Sequence, residues 1–295
     1  MFNPERIAKA HQAAAGEMRG AERGEAMDSH ANRFRADVES SRVVVEEKAA
    51  YILRMPMRIA ITSGPSYEPI DRVRRLSNFS TGELGTLLSE SFAAAGHSVL
   101  CFRGVASTFA PPLWPVEEVP FTTNESLESA LVQTPIREEV SIIFHAAALC
   151  DYRLHAIRNG QGEVIERQKI SSRNGSLELT LEPAPKVILS LRRMFPASIL
   201  VGWKYELDGT PADLIALGEK QMEEALTDAC VLNGEAYGPG FGILLRSGEL
   251  THVPDKPGLC RYLLDWAERM PVAGASPRKD SFHPLATFMP LSPFI

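Results

Sequence analysis

The sequence predicts an α/β protein with a doubly wound, Rossmann-like, mostly parallel sheet. Short apolar runs alternate with amphipathic helical segments between residues 57 and 270, which is the pattern of repeated βαβ units. The chain has 295 residues and 44% hydrophobic content, so it is long enough to bury the core of such a sheet. Ligands of open α/β sheets bind beyond the carboxyl ends of the strands, so we expect a site in the loops that follow the strands.

The strands are predicted from short apolar runs that are bounded by turn residues. The first is RIAIT (58–62), and SVLCFRG (98–104) is the second. Residues 176–182 alternate between apolar and polar with period two, which predicts a flap or hairpin of antiparallel strands beside the main sheet. The remaining predicted strands are 141–148, 198–206 and 228–233, with a hairpin around a Ser-Gly turn at 242–253.

Helical periodicity predicts the segments between the strands. In GELGTLLSESFAAAGH (82–97), four apolar side chains fall on one face and Gly96 ends the helix. The segment that follows the 141–148 strand is polar as far as about residue 176, and we predict a loop there. Further helices are predicted at 185–195, 211–227 and 258–270.

Composition divides the chain into three parts. Residues 1–56 are rich in Ala, Glu, Arg and Ser, and we expect a helical extension that is dispensable to the chemistry. Residues 57–270 hold the alternating strands and helices, and this part is the predicted α/β domain. Residues 271–295 are rich in proline and aperiodic, which is typical of a loosely ordered tail.

Charge and cysteine usage argue against several classes of partner. The net charge of −6 is spread over the chain without a basic stripe, so we expect no nucleic acid and no anionic membrane surface as a partner. Long apolar runs are missing and the first residues are polar and charged, so we expect a cytoplasmic protein that does not span a membrane. The four cysteines lie far apart without a CxxC pair, which predicts buried free thiols, and we assign no metal ligand.

The stretch SNFSTGELG (77–85) leads into the first predicted helix. Ser80, Thr81 and Gly82 stand where the free N–H groups of a helix N-terminus point outward, and the helix dipole adds partial positive charge, so the segment is suited to bind phosphate. A helix cap formed by one of the two hydroxyls explains the same residues. Asn78 adds an amide that either completes a turn or faces a ligand at the strand ends.

A nicotinamide-dependent oxidoreductase is the obvious alternative for such a sheet. Its fingerprint G-x-G-x-x-G belongs in the turn after the first strand, where this chain has Gly64 alone, and the next glycines are Gly82 and Gly85. No tyrosine is followed by a lysine four positions on, so the Tyr-x-x-x-Lys pair of short-chain reductases is missing as well. The sequence therefore disfavours hydride transfer.

A series of motifs carries a resemblance to a known family. The longest is TSGPSYEPIDRVRRLSNFSTGELG (62–85), and HAAALCDYR (145–153) and the lysine motif QKISS (168–172) follow it. PAPKVILSLR, LVGWKYELD and ACVLNGEAYGPGFG continue the series, over roughly residues 57–270. Together and in this order they resemble phosphopantothenoylcysteine synthetase, the ligase of coenzyme A biosynthesis. The KISS and GWK segments are most similar to the free-standing form, which lacks a flavin decarboxylase domain.

The resemblance implies a reaction. From 4′-phosphopantothenate, L-cysteine and a nucleoside triphosphate, it would give 4′-phosphopantothenoylcysteine, a nucleoside monophosphate and pyrophosphate. It implies CTP and an acyl-cytidylate intermediate, with ATP as the alternative co-substrate and Mg²⁺ as the metal. Nothing in the chain resembles the decarboxylase, so we expect no flavin, and a separate decarboxylase protein would act next. Members of the family usually dimerise, which implies a homodimer.

The resemblance also assigns the site residues. Asn78 and Lys169 match the catalytic asparagine and lysine: the amide would stabilise the acyl-nucleotidylate, and the ammonium would contact the triphosphate. Asp151 matches a residue that contacts the nucleotide. The other positions assigned to nucleotide binding are Gly64, Ser80, Thr81, Gly82, His145, Ala146, Ala147, Ala148, Lys169, Pro185, Lys186, Val187, Ile188, Trp203, Lys204 and Lys220.

Several of these assignments have a simpler alternative. Asp151 could cap the following loop, Trp203 could belong to the core alone, and Lys220 could be a solvated helix residue. His145 stands where a small residue is expected. The 152–168 loop is either a flap that closes over substrate, with a hinge at its Gly-Gln-Gly tip, or an inert insertion.

Overall fold

The computed structural model describes residues 56–135, 137–165, 170–171 and 175–270. Within these residues the strands, in chain order, are β1 (Arg58–Ser63), β2 (Tyr67–Pro69), β3 (Arg75–Ser77), β4 (Ser98–Gly104), β5 (Glu117–Phe121), β6 (Val140–His145), β7 (Tyr152–Asn159), β8 (Leu177–Pro183), β9 (Ile199–Tyr205), β10 (Ala229–Asn233), β11 (Phe241–Leu245) and β12 (Leu250–Val253). The helices are α1 (Glu83–Ala94), α2 (Asn124–Gln133), α3 (Ile188–Met194), α4 (Pro211–Ala225) and α5 (Lys256–Arg269), and a short 3₁₀ helix spans Arg137–Glu139.

The main sheet contains eight strands in the order β12-β11-β10-β9-β6-β1-β4-β5. The strands from β10 to β5 pair in parallel, and β11 and β12 are added antiparallel at one edge. From β1 the chain first builds one side of the sheet with β4 and β5, and then crosses to β6 on the other side. The strand order therefore reverses between β1 and β6. Two antiparallel ribbons, β2–β3 and β7–β8, lie outside this sheet.

Helices cover both faces of the sheet, because alternate residues of a buried strand point to opposite sides. On one face Ile59 of β1 shares a cluster with Phe92 of α1 and Leu263 of α5. On the other face Ala60 of the same strand shares a cluster with Leu131 of α2 and with α3, and α4 covers the strands further along. Burial on both faces explains why the parallel strands are apolar throughout rather than alternating.

The fold class predicted from the sequence is confirmed, and several elements differ from the prediction. β5 and α2 lie in a stretch where the pattern predicts no element. The predicted polar loop contains β7, whose pairing with β8 forms the antiparallel ribbon. The strand predicted at 141–148 ends at His145, after which the chain is irregular. The four cysteines are buried free thiols, as their spacing predicts, and burial raises the pKa of each.

Gly85 marks a very close contact between α1 and β1. A Cβ at this position would lie 2.2 Å from the Oγ, 2.3 Å from the Cβ and 3.1 Å from the Cα of Ser63. Alanine is favoured over glycine by about 1 kcal/mol within a helix, but here the helix would have to move off the strand. We expect Gly85→Ala to lower the free energy of unfolding by about 1–3 kcal/mol, measured by urea denaturation.

Gly218→Ala in α4 is the matched control for this prediction. The added methyl group would meet the Cδ2 atom of Leu232 at 2.7 Å, which is the end of a side chain that can rotate away. The gain in helix propensity is the same, so we expect the control to change the free energy of unfolding much less. Equal losses in the two variants would show that the contact between α1 and β1 is not the cause.

Candidate functional site

The candidate site lies where the strand order reverses, at the carboxyl ends of β1 and β6. Gly64 follows β1 and turns the chain with a φ of 80°, a conformation that favours glycine. The chain after β6 runs beside it. The main-chain N–H groups of Ala146 and Ala148 donate to the carbonyls of Thr62 and Gly64 at 3.2 and 3.0 Å, and that of Ser66 donates to Ala148 at 3.2 Å. Predicted site residues from two distant motifs are thereby joined.

Two glycines and a serine pack together next to the N-terminus of α1. Gly82 precedes the helix with a φ of 80°, and Ser63 Oγ donates to its carbonyl at 3.1 Å. A Cβ on Gly64 would lie 1.9 Å from Ser107 Oγ, and a Cβ on Gly82 would lie 2.8 Å from it. The glycines therefore make room for the Ser107 hydroxyl, which is buried and has no hydrogen-bond partner among the described residues. An unpaired buried hydroxyl in this corner fits a site for a ligand oxygen.

The geometry at the start of α1 distinguishes the two explanations of the Ser80 and Thr81 hydroxyls, a helix cap or a phosphate site. Gly82 is the N-cap residue, and no side chain caps the helix. Thr81 Oγ1 accepts one long bond from Glu83 N at 3.3 Å, and Ser80 donates its main-chain N–H to Asn78 O at 3.0 Å. The helix-cap alternative for Ser80 and Thr81 is therefore wrong. The N-terminus of α1 thus has no side-chain cap, and the acidic residue in its first turn, Glu83, pairs with Lys256.

Asn78 directly follows β3 and reaches the segment after β6. Its Nδ2 donates to the carbonyl of Leu149 at 2.8 Å, and Ser77 Oγ donates to the carbonyl of Ser66 at 2.8 Å. Asn78 is exposed, and its side chain makes no other hydrogen bond within the described part of the chain. The contact with Leu149 fixes the side-chain amide near the carboxyl ends of the strands and leaves its second N–H for a ligand.

A buried polar network fixes the chain that leads to Asp151. Cys150 N donates to Ser66 Oγ at 2.8 Å, Ser66 Oγ donates to Asn124 Oδ1 at 2.7 Å, and Asn124 Nδ2 donates to Cys150 O at 2.8 Å. The Asp151 carbonyl accepts from Ala184 N at 2.8 Å, while the residue itself is exposed. Sequence reasoning assigned no role to Ser66, although it lies in the 62–85 motif, or to Asn124, since their partners lie far away along the chain.

His145 ends β6 as a buried residue with 7% of its surface exposed. Burial lowers the pKa of His145 to about 4, so its imidazole is neutral at pH 7. Its Nδ1 lies 2.9 Å from Thr62 Oγ1, and the same hydroxyl accepts the main-chain N–H of Ala147 at 3.2 Å. One hydroxyl thus holds both the imidazole and the start of the small-residue segment. Only the main chain of His145 is left for a ligand.

The stretch 185–188 leads from the ribbon into α3. Val187 is 3% exposed and belongs to the core, so only its main chain can contact a ligand. Ile188 packs on Gly202 of β9, where an added Cβ would lie 3.0 Å from the Ile188 Cδ1 atom. Lys186 is exposed and forms no ion pair with any described residue, so its charge is available to a ligand.

Trp203 and Lys204 lie at the end of β9 and point to opposite faces of the sheet. Trp203 packs against the cluster under α1 and α5 and meets the ring of Phe144 edge-on, with 6.5 Å between ring centroids. Its Nε1 is buried without a hydrogen-bond partner in the described part of the chain. Lys204 Nζ pairs with Glu206 at 2.7 Å. The two side chains therefore cannot line the same wall of a site.

The remaining two lysines are not brought to the strand ends by any described contact. Lys220 in α4 has a side chain that is 68% exposed and lies 3.9 Å from Glu224. Lys169 lies outside the described residues, so its assignment stays a prediction. No group of three or more His, Cys, Asp or Glu side chains in the described ranges could hold a metal ion.

The fold is that of a doubly wound α/β protein, and the candidate site lies at the switch point of its parallel strands. More particularly, this chain belongs to the family described as DNA/pantothenate metabolism flavoprotein C-terminal domain, whose model matches residues 55–250. The family resemblance carried by the motifs is thereby confirmed. None of the described helices is long and apolar enough to cross a membrane.

Known proteins similar to this chain agree with that assignment. It is 28% identical over 181 residues to the coenzyme A biosynthesis bifunctional protein CoaBC of Thermococcus kodakarensis, covering 60% of this chain and 41% of that protein. This chain spans less than half the length of the curated relatives it matches.

Solved structures show the same fold at low identity. The DNA/pantothenate metabolism flavoprotein from Streptococcus pneumoniae superposes with a TM-score of 0.64 at 23% identity, covering 71% of this chain and 97% of that one. A Cab2 variant in complex with phosphopantothenate-cysteine gives a TM-score of 0.56 at 16% identity, covering 78% of this chain and 93% of that one.

The Thr62→Val substitution tests the hydrogen bonds through which the Thr62 hydroxyl joins the carboxyl ends of β1 and β6. Valine keeps the shape of threonine but leaves His145 Nδ1 and the N–H of Ala147 without their shared hydroxyl. We expect the free energy of unfolding at pH 7 to fall by about 1–3 kcal/mol, because both groups are then left without this partner. Thr62→Ser restores the hydroxyl and should recover most of the loss. A valine variant as stable as the wild type would refute the role of this hydroxyl.

Proposed function

We propose that this chain is a phosphopantothenate–cysteine ligase that joins 4′-phosphopantothenate to L-cysteine with CTP, in coenzyme A biosynthesis. The observation that carries the proposal is the bond from Asn78 to Leu149, which holds a side-chain amide between the N-terminus of α1 and the segment after β6. Family membership supports it, as does the related Cab2 structure in complex with phosphopantothenate-cysteine.

The first step would be activation of the carboxylate, which is a poor acyl donor because oxide is a poor leaving group. A carboxylate oxygen of phosphopantothenate attacks the α-phosphorus of CTP, and the bond from phosphorus to pyrophosphate breaks. Negative charge grows on the leaving pyrophosphate, so fixed donors lower the barrier. The N–H groups at the start of α1, the Ser107 hydroxyl and the ammonium of Lys169 would supply these donors.

The second step would transfer the acyl group to cysteine. The amine attacks the acyl carbon of the cytidylate, the bond from carbon to the oxygen of CMP breaks, and the amine loses a proton. A tetrahedral intermediate with an oxyanion lies between these events. Asn78 has a second N–H that makes no bond within the described residues, and we propose that it donates to this oxyanion.

The nucleotide would be held at the same strand ends. We propose that the main chain of Ala146–Ala148 and of residues 185–188 contacts the nucleoside and that the Asp151 carboxylate binds a ribose hydroxyl. Lys186 offers a free charge, whereas Lys204 and Lys220 would have to leave their present carboxylate partners to bind phosphate. We propose that the aromatic edge of Trp203 contacts the nucleotide.

Mg²⁺ would arrive with the triphosphate. The described residues form no cluster of three metal-binding side chains, so phosphate oxygens and water would supply most of its ligands, as is usual for this ion. Bound there, the ion would offset phosphate charge. We further propose that the protein acts in the cytoplasm as a homodimer, without flavin, and that a separate decarboxylase consumes its product. ATP is the alternative co-substrate.

Pyrophosphate release tests this function directly. We expect steady turnover only when CTP, phosphopantothenate and L-cysteine are all present, and a single burst of pyrophosphate when cysteine alone is omitted, because activation precedes acyl transfer. CTP, ATP, GTP and UTP are compared in parallel. A larger rate with ATP would correct the nucleotide, and no release with any of the four would overturn the ligase.

Asn78→Asp separates the two steps. A carboxylate cannot donate to Leu149 or to an oxyanion, so we expect the burst of pyrophosphate to persist while formation of the amide product slows about 100- to 1000-fold. Product formation is measured by quenched flow and mass detection. Gln133→Glu at the exposed end of α2 makes the same amide-to-acid change away from the strand ends and should match the wild type. Wild-type product formation by the Asn78 variant would remove this residue from the mechanism.

A further inference from the structure

Asp71 lies in the turn between β2 and β3 and binds a distant part of the chain. Its side chain is 0% exposed. Its Oδ1 accepts the main-chain N–H groups of Val73 and Arg74, each at 2.8 Å, which closes the turn. Its Oδ2 accepts the N–H of Ile170 at 3.1 Å and pairs with Arg74 Nη1 at 2.6 Å. The two carboxylate oxygens therefore have different tasks, one local and one that reaches a residue far along the chain.

Ile170 is held by its main chain on both sides and by its side chain. Arg74 Nη1 also donates to the Ile170 carbonyl at 3.1 Å, so the charged pair binds the N–H and the C=O of a single residue. Ile170 is 4% exposed, and its side chain packs with Leu154 and Ile157 of β7. The N–H donors, that of Val73 foremost, lower the pKa of Asp71, so the acceptor is ionised at pH 7. Hydrogen bonds to an ionised acceptor are the stronger kind.

The hydrogen bonds that Asp71 and Arg74 form with Ile170 relate two positions that the proposed reaction uses. Ile170 directly follows Lys169 in the sequence, and Asn78 directly follows β3 on the other arm of the same hairpin. Only β3 separates Arg74 from Asn78, so the two residues are roughly 13 Å apart along extended chain. One short hairpin thus holds the neighbour of the lysine at its turn and the asparagine at its end.

We propose that Asp71 is a positioning residue for the activation step: its Oδ2, together with the Arg74 guanidinium, fixes Ile170 and thereby the point from which Lys169 extends, relative to Asn78. This inference rests on the proposed function. A carboxylate needed only for the turn would bind Val73 and Arg74 and would not need the bond from Ile170 N–H to Oδ2. The second oxygen binds Ile170, which matters to the proposed reaction because it is the neighbour of Lys169 in the sequence.

Asp71→Asn separates the two tasks of the carboxylate. The amide oxygen can still accept the main-chain N–H groups of Val73 and Arg74, whereas an NH₂ group in place of Oδ2 can accept neither the N–H of Ile170 nor the guanidinium of Arg74. We expect single-turnover pyrophosphate release, with cysteine omitted, to slow about 10- to 100-fold, because a small misplacement of a catalytic group costs that much. Asp71→Glu, which keeps the charge, should recover part of the rate.

A double-mutant cycle shows whether Asp71 acts through the lysine. Once Lys169→Ala has removed the ammonium, Asp71→Asn should slow pyrophosphate release by less than about twofold more, because the two residues act as one unit. Losses that multiply would overturn the proposal. Arg72→Gln is the control in the same turn: Arg72 is exposed and makes no described contact with Ile170, so its rate should equal that of the wild type. Circular dichroism and thermal melting confirm that the compared variants are folded.

Amide hydrogen exchange tests the contact at Ile170 independently of the reaction. In the wild type the measurement does not depend on the folding of any variant. The Ile170 amide should exchange at least about tenfold more slowly than an unstructured amide. Asp71→Asn should remove most of that protection and leave Ile61 of β1 protected. An unprotected Ile170 in the wild type overturns the proposal. Protection of Ile170 without pyrophosphate release from any nucleotide would overturn the proposed function, and the positioning role with it, but not the contact.

Discussion

Three segments of main chain approach one another at the carboxyl end of β1 more closely than side chains would allow, and the site depends on this. Gly85 lets α1 lie on Ser63, and Gly64 makes room for the Ser107 hydroxyl. A Cβ on Gly104, at the end of β4, would lie 2.3 Å from the carbonyl oxygen of Pro65. Since none of these glycines has a side chain, the start of α1 is drawn in beside the ends of β1 and β4. The positive end of the helix dipole then faces the region where a ligand of the sheet binds.

The loops around this point are ordered by buried polar side chains rather than by apolar packing. The Thr62 hydroxyl, the ring of bonds between Ser66, Asn124 and Cys150, and the Asp71 carboxylate each tie a loop to a partner far away in sequence. Breaking such a bond leaves a buried group unpaired, at a cost of about 1–3 kcal/mol. The loops therefore keep one arrangement, as a site built on loops requires.

The sequence predicts the central parallel strands and most of the helices, because burial on both faces leaves a clear apolar signal. It misses β5 and β7, which are weakly buried: β5 lies at the edge of the sheet, and β7 belongs to a ribbon with several exposed side chains. Of the site, the motifs predict the residues near the strand ends. They assign no role to Ser66 or Asp71, which lie in the 62–85 motif, or to Asn124, since these residues act through contacts that only the folded chain creates.

The charges near the site explain why main-chain groups would provide many of the contacts to a polyphosphate. Three cations near the carboxyl ends already have carboxylate partners: Arg74 with Asp71, Arg103 with Glu118 at 3.6 Å, and Lys204 with Glu206. His145 adds no charge, because burial keeps it neutral. A polyphosphate would therefore meet few free positive charges among the described residues. Helix N–H groups can bind it without an added charge that must be desolvated. The ammonium of Lys169 would add one such charge under the proposed function, and Ile170, its neighbour in the sequence, is the residue that Asp71 and Arg74 hold in place.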